Sequence, residues 1–425
     1  MEQPQSLNGR NTRLLRDNRN FLLIWLADFV SSLGDRVHQV AMAALVYTVT
    51  GSLTQTGIAF VATALPDLVL GPFAGVLVDR WDRRTILIAC DVLRIPPVLL
   101  IPFIADQAIV IVYILLFTVN AVSVVFKPAR RAIVPAIVPP RDYHTANSLG
   151  SVSENSSDII GYPLGGGLLL LFGYLLSQEA AVAIAFTFDA LTYLVSAILI
   201  FSMRVDPAGE IAKTGQTVWK DVTEGITFVW NHRLVLANTL VTLLGPIALG
   251  ASTPLLVGYA WDVLSGGEWE YSLIGAAISI GTVLGGLWLG RRERVNTGIV
   301  VLSGLALMGI SVTATALVSS LIPALLFIAV SGFGSALVLI PGVTLIQDHT
   351  PDNLLGRVFS LRTTLFYSAI VFSTFIGGWA GDQFGTRPAL FVCGIILTVS
   401  VVLAGLIPSV RASGTGSDPH ASTAD

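Results

Sequence analysis

Apolar stretches of about 20 residues recur along the whole chain, each long enough to cross roughly 30 Å of hydrocarbon at about 1.5 Å per residue. Core helices of soluble proteins are seldom so long, so the chain must lie in lipid. Its composition agrees, with 53% hydrophobic and only 12% charged residues, where an ordinary soluble domain carries roughly 25% charged. Something apolar has to cover the surface that polar residues cover elsewhere.

Hydropathy and the polar breaks place spans near residues 21–48, 55–78, 85–105, 108–126, 146–175 and 180–203, then near 233–258, 271–290, 297–319, 321–346, 357–381 and 386–407. The reading is an all-α membrane protein of twelve transmembrane helices. A polar segment of residues 1–20 precedes the first six, a linker of residues 204–232 separates the two sets, and a tail of residues 408–425, rich in Ser, Gly, Thr and Asp, is expected to be disordered. In the linker, Val218, Trp219, Val222, Ile226, Val229 and Trp230 fit one face of a helix, which predicts an amphipathic helix in the membrane interface.

Basic residues orient the spans. Alternate loops hold Arg80, Arg83 and Arg84, then Lys127, Arg130, Arg131 and Arg141, then Arg204, Lys213 and Lys220, then Arg291, Arg292 and Arg294, then Arg357. The opposite loops hold only Arg387, with Asp106, Glu179, Asp262, Glu268 and Glu270. Because lysine and arginine stay on the cytoplasmic side, both termini are expected in the cytoplasm and the protein in the inner membrane. The first twenty residues carry Arg10, Arg13, Arg16 and Arg19, and the apolar segment after them lacks a small-residue cleavage site, so no cleavage is expected.

Several function classes drop out. Cys90 and Cys393 sit singly in apolar spans, without metal or redox spacing. The basic residues lack interleaved aromatics, so no nucleic-acid surface is suggested. The three lysines follow Phe126, Ala212 and Trp219, which excludes a Gly-Lys phosphate loop, and His38, His144, His232, His349 and His420 are too dispersed for a metal-dependent enzyme. No cofactor, metal or catalytic function is expected.

Gly75-Val76-Leu77-Val78-Asp79-Arg80-Trp81-Asp82-Arg83-Arg84 ends the second span, and Gly286-Leu287-Trp288-Leu289-Gly290-Arg291-Arg292-Glu293-Arg294 ends the eighth. That offset is half the bundle, as in transporters built from two parallel halves with a substrate site between them at mid-membrane.

On these residues the chain resembles the major facilitator superfamily, whose loop between spans two and three is matched by Gly75, Leu77, Asp79, Arg80, Arg83 and Arg84, with Asp82 replacing the usual second glycine. It is similar to the drug and siderophore exporter branch, on Leu33-Gly34-Asp35-Arg36, Thr50-Gly51-Ser52, Asp91-Val92-Leu93-Arg94, Pro128-Ala129-Arg130-Arg131, Asp189-Ala190-Leu191-Thr192-Tyr193 and Gly356-Arg357-Val358. The resemblance implies the major facilitator fold, two pseudo-symmetric six-helix bundles. It also implies a latch at the cytoplasmic helix ends, made by Asp79 and Arg83 with their loop and joined by Arg357. The branch's Gly-Pro-x-x-Gly-Gly pattern reads Tyr162-Pro163-Leu164-Gly165-Gly166-Gly167 here, with Tyr162 departing from it. Pro163, Gly166 and Gly167 are read either as a gating hinge or as plain close packing.

Charges at membrane depth are costly, so each is a candidate functional residue. Asp28 and Asp35 lie about 20° apart around one helix and should face the same cavity, with Arg36 and His38 near them. Either acid is a candidate for taking up the coupling proton. Glu154 and Asp158 share a face of span five, and Asn120 and Asp67 are candidate polar contacts for a ligand. Asp189 is read as structural, and Asp91 and Arg94 as neutralising each other. The chain is therefore read as a secondary transporter that exports small amphipathic substrates by alternating access with proton antiport. A lipid or lysophospholipid flippase is the alternative, and a non-transporting membrane receptor or assembly protein a distant third. The orientation has a direct test. In a background lacking Cys90 and Cys393, a cysteine at Arg141 should react with an impermeant maleimide only in inside-out vesicles, and one at Glu268 only in right-side-out vesicles.

Overall fold

The computed structural model describes residues 13–78, 80–204, 218–292 and 296–405. Asp79 and the tail of residues 408–425 lie outside them. Among the described residues the chain is all helix: α1 (Arg19–Thr50), α2 (Leu53–Val78), α3 (Arg83–Ile104), α4 (Ile109–Ile137), α5 (Tyr143–Leu175), α6 (Gln178–Phe201), α7 (Val218–Asn231), α8 (Arg233–Thr242), α9 (Leu244–Gly258), α10 (Glu268–Gly290), α11 (Thr297–Leu317), α12 (Leu321–His349), α13 (Asp352–Phe384) and α14 (Thr386–Gly405). Eleven stretches are long and apolar enough to cross a membrane, α8 and α9 being joined in one of them. Two helices lie outside that set: α7, which is too short at 14 residues, and α1, which has the length, 32 residues, but carries Asp28, Asp35 and Arg36 in its interior.

Helix ends follow local chemistry. The Asn18 side chain accepts from the Phe21 N–H at 2.9 Å and starts α1. Gly51 ends it in the left-handed region, φ 61°, with its N–H donating to Tyr47 O, which accounts for the glycine of Thr50-Gly51-Ser52. Asp82 accepts from the Thr85 N–H and hydroxyl, both at 2.7 Å, and caps α3. The residue that departs from the family pattern thus starts the next helix.

Two expected boundaries move. The fourth span, expected to stop at residue 126, continues as α4 to Ile137 through Pro128 and Pro135. Phe126, Ala129 and Ile133 are buried at helical spacing and hold this extension to the core. Lys127, Arg130 and Arg131 therefore stand on a helix rather than in a loop. The thirteenth helix likewise starts at Asp352, before the expected residue 357.

The chain forms two compact units. The first comprises Met1–Thr214 with Thr253–Ala276 and Thr374–Thr386. Inside it α1 packs on α5 and α6, α3 on α4 and α6, and α2 on α4, around Phe21, Ile24, Leu87, Phe126 and Ile133. Phe103, Leu171, Tyr174 and Phe201 are more than half exposed, the apolar outer surface that lipid covers. The two later segments are tied to the α1–α2 turn by hydrogen bonds. Asp382 accepts from Ser52 Oγ at 2.6 Å, Leu53 N at 2.7 Å and Thr54 N at 3.0 Å, so it caps α2 from more than 300 positions away. Asp262 accepts from Tyr47 at 2.6 Å and Thr386 at 3.1 Å.

The second unit comprises Gly215–Ser252, Ala277–Ser373 and Arg387–Asp425. Its core gathers Val241, Val301, Leu305, Met308 and Val338. On α7, Gly225 and Val229 face inward. A Cβ on Gly225 would meet Arg357 O at 3.0 Å and Val229 is buried, whereas Ile226 and Trp230 are exposed. Backbones approach closely where α10 crosses α12, since Cβ atoms on Gly281 and Gly332 would collide with Ala329 O and Ile278 O. Overpacking such a contact costs about 1–3 kcal/mol. Gly281→Val should therefore lower the melting temperature of the purified protein, whereas Gly290→Ala, where nothing lies within 4 Å of the new methyl, should leave it unchanged.

Candidate functional site

Inside the first unit, α1 to α6 enclose a cavity of about 420 Å³ whose wall includes Asp28, Asp35, Arg36, Arg94, Asn120 and Glu154. The opposite wall is α4, with Lys127, Arg130 and Arg131. Buried or half-buried charges require partners, and here most of them have one. Arg130 meets Asp28 at 2.7 Å, Arg36 meets Asp158 at 2.5 Å and Lys127 meets Asp67 at 2.8 Å. Arg94 pairs with Asp91. Asp35 accepts from the Tyr193 hydroxyl at 2.6 Å. Arg131 and Glu154 make no ion pair among the described residues.

Asp28 and Asp35 stand on the same cavity wall but have different partners. The Asp28 partner comes from α4, not from Arg36 or His38. Asp158 stands behind Arg36 and neutralises it rather than lining the cavity, while Glu154 lines it. Asn120 also lines it, with its amide donating to Leu116 O at 2.9 Å within its own helix. Asp67 is occupied by Lys127.

Arg94 is the most enclosed of these cations, 3% exposed. Its guanidinium lies 4.2 Å from the Tyr193 ring centre and 4.8 Å from that of Phe126, and Ser196 donates to the other oxygen of Asp91 at 2.6 Å. A further pair is buried as well. His38 Nδ1 is 2.8 Å from Asp189 Oδ2, and both residues are buried.

The glycine-rich stretch of α5 is occupied by close approaches. A Cβ on Gly165 would lie 3.1 Å from Val37 Cα, and one on Gly166 would lie 3.0 Å from Glu268 O. Gly167 is in ordinary contact with Trp269, and α5 runs unbroken through Pro163. Tyr162, the departure from the exporter pattern, donates to Gln39 at 3.0 Å and lies under Arg36, whose guanidinium carbon is 5.6 Å from the ring centre. Gly275 gives the Tyr162 ring room, since a Cβ there would come within 2.7 Å of it.

Of the expected latch, Arg84 donates to Ile200 O and Phe201 O and so binds the last carbonyls of α6. Gly75 has open space around it, and Arg80 is exposed. Arg83 starts α3. In the second unit Arg357 pairs with Glu224 of α7.

The sequence placed Arg130 and Arg131 in a loop, whereas α4 carries both to the cavity wall; Asp91 and Arg94 neutralise each other as expected. A signal was present for the first two: the apolar spacing Phe126, Ala129, Ile133 on both sides of them continues the helix.

Comparison with known proteins is consistent across sequence and structure. The model of the Major Facilitator Superfamily matches residues 24–374. An uncharacterized MFS-type transporter, YfiS of Bacillus subtilis, is 28% identical, covering 93% of each chain. Macrolide efflux protein A of Streptococcus pyogenes is 23% identical, over 92% of this chain and 96% of its own length. The crystal structure of a bacterial homolog to the human lysosomal transporter Spinster superposes with a TM-score of 0.71 over 93% of this chain and 97% of its own, at 15% identity.

The Asp91–Arg94 pair and the Asp67–Lys127 pair differ in burial, and that difference is measurable. Removing one partner of a buried pair strands the other charge, at about 3–5 kcal/mol, so Asp91→Asn should sharply lower thermal stability in detergent. Lys127 is half exposed, and Asp67→Asn should cost no more than about 1 kcal/mol.

Proposed function

The chain belongs to the major facilitator superfamily, and on that premise we propose that it exports small amphipathic molecules, drug- or siderophore-like in kind, by alternating access coupled to proton antiport. The observation that carries this reading is the cavity of the first unit, where carboxylates and guanidinium groups face an enclosed space inside helices with an apolar exterior. Ionisable groups kept at membrane depth despite their cost mark solute and proton pathways.

In this reading the substrate enters from the cytoplasm or inner leaflet and contacts Arg131 and Glu154, two wall charges that make no ion pair among the described residues. Asp28 exchanges its proton with the cavity. When ionised it holds Arg130 and so ties α1 to α4; when protonated it releases Arg130, and the two helices separate more easily. Coupling then consists of proton and substrate favouring different arrangements of one element. Pro163 and the glycines after it serve as the pivot of α5. The loop from Gly75 through Asp79 to Arg84 and the Arg357 pair bias the two states at the cytoplasmic rim. Inner-membrane placement with both termini cytoplasmic follows from the basic loops. The efflux named for the Streptococcus pyogenes relative supports the outward direction. A lipid flippase would need an uncharged apolar half to its cavity, and this wall is largely charged and polar, which favours a solute.

Proteoliposomes test the proposal. Ethidium, erythromycin, a ferric siderophore and a fluorescent lysolipid are offered with and without an imposed pH gradient, to wild type and to Asp28→Asn. Gradient-driven accumulation of a solute by wild type, falling to the level of empty liposomes in Asp28→Asn, is expected. Equal flux with and without the gradient, unchanged by the substitution, would discard antiport, and movement of the lysolipid alone would favour the flippase.

A further inference from the structure

We infer that His38 and Asp189 form a proton-binding couple on the cavity wall, a second proton site beside the carboxylates of α1. The inference rests on the antiport reading above and adds the place where a transported proton is held. Its basis is geometric. His38 is on α1, one turn from Asp35, and lines the cavity. It is 7% exposed and Asp189 is 0% exposed. Nδ1 and Oδ2 are 2.8 Å apart. An ionised Asp189 needs a donor there, so Nδ1 carries the hydrogen and Nε2 presents its lone pair. That Nε2 is buried and has no hydrogen-bond partner, as is Asp189 Oδ1. Most buried side-chain polar atoms have a hydrogen-bond partner, so an unpartnered Nε2 calls for an explanation.

Room is kept for the carboxylate. A Cβ on Gly34 would lie 2.6 Å from Asp189 Oδ1 and would also strike the Thr192 hydroxyl, so α1 carries a glycine where it meets the couple. Phe186 closes the far side of the imidazole, with ring centres 4.8 Å apart. The ring is thereby held with Nδ1 on Asp189.

The charges around the couple favour a cation at this position. From α1 comes Asp35, from α6 Asp189 and Tyr193, and from α3 the pair Asp91 and Arg94. On α5, Asp158 is neutralised by Arg36, Glu154 lines the same cavity without an ion pair among the described residues, and α2 offers Phe60 and Thr63 to the same wall. Across the cavity, α4 presents Lys127 and Arg130, each paired with its own carboxylate, and Arg131, whose charge offsets that of Glu154. Three carboxylates, Asp35, Asp91 and Asp189, are thus matched by one guanidinium, that of Arg94, already paired with Asp91, which leaves an excess of two negative charges. One proton on His38 removes one of them.

The step is a simple transfer. When side-chain motion opens Nε2 to the cavity, a hydronium ion there gives its proton to the Nε2 lone pair and leaves as water. The imidazolium keeps its Nδ1–H on Asp189, and the same proton later returns from Nε2 to water on the other side. No bond to carbon is made or broken, and no oxidant or cofactor is needed.

Two measurements on the full-length protein decide the matter. In detergent, ring-labelled histidine spectra are followed from about pH 5 to pH 9, the range in which histidine changes charge, with the His38 signal identified by its loss in His38→Gln. One titrating proton at His38, displaced in Asp189→Asn, is expected; a His38 signal that does not titrate overturns the inference. In proteoliposomes, ethidium or erythromycin is followed as gradient-driven accumulation and as counterflow, which needs no proton. His38→Gln and Asp189→Asn should abolish accumulation, keep counterflow, and flatten its pH dependence. Loss of counterflow together with accumulation in both variants would make the pair structural, and wild-type accumulation in both would remove it from the cycle. If wild type itself ignores the gradient, the antiport reading fails first, and that outcome is visible before any variant is compared.

Discussion

Arg94 is the charge on which the first unit is organised. A guanidinium at membrane depth must be satisfied inside the protein, and satisfying this one brings four helices together. Its carboxylate, Asp91, is on its own helix, α3. Ser196 of α6 binds that carboxylate, and Tyr193 of α6 covers the guanidinium. The Tyr193 hydroxyl in turn donates to Asp35 of α1, and Phe126 supplies the face of α4. The cavity is the space left beside this junction, and its charged walls follow from the same requirement.

The other pairs are distributed so that each ties one helix to another. Asp28 and Arg130 join α1 to α4, Arg36 and Asp158 join α1 to α5, His38 and Asp189 join α1 to α6, and Asp67 and Lys127 join α2 to α4. Three of the four begin on α1. This explains why α1 is the one long helix outside the apolar set: the residues that make it less lipid-like are those that bind its neighbours. An ion pair can be opened by one proton, whereas a packed apolar contact cannot.

At the α1–α2 turn the joints are neutral or singly charged, and backbones come close. Asp382 caps α2, Asp262 takes up Tyr47 and Thr386, and Gly57 approaches Thr374 O so closely that a Cβ would lie 3.0 Å away. Such hydrogen bonds are short-range, so they hold firmly when the segments touch and not at all when they part.

The lipid environment, the helix count within one and the positions of the intramembrane acids were determined by the sequence alone, because apolar length and the cost of charge in hydrocarbon are properties of each segment taken singly. Motifs with a local meaning were legible as well: Gly51 ends α1 through its own φ, and Asp82 caps the helix that follows it. Partners were not legible. Asp28 lies 102 positions from Arg130, and His38 lies 151 positions from Asp189, so their pairing depends on which helix faces meet. That is fixed by packing across the bundle, by Gly34 and Gly165 on particular faces and by the extension of α4 past Pro128. The sequence supplied the charges that lipid cannot tolerate alone, and the tertiary structure chose which opposite charge each would meet.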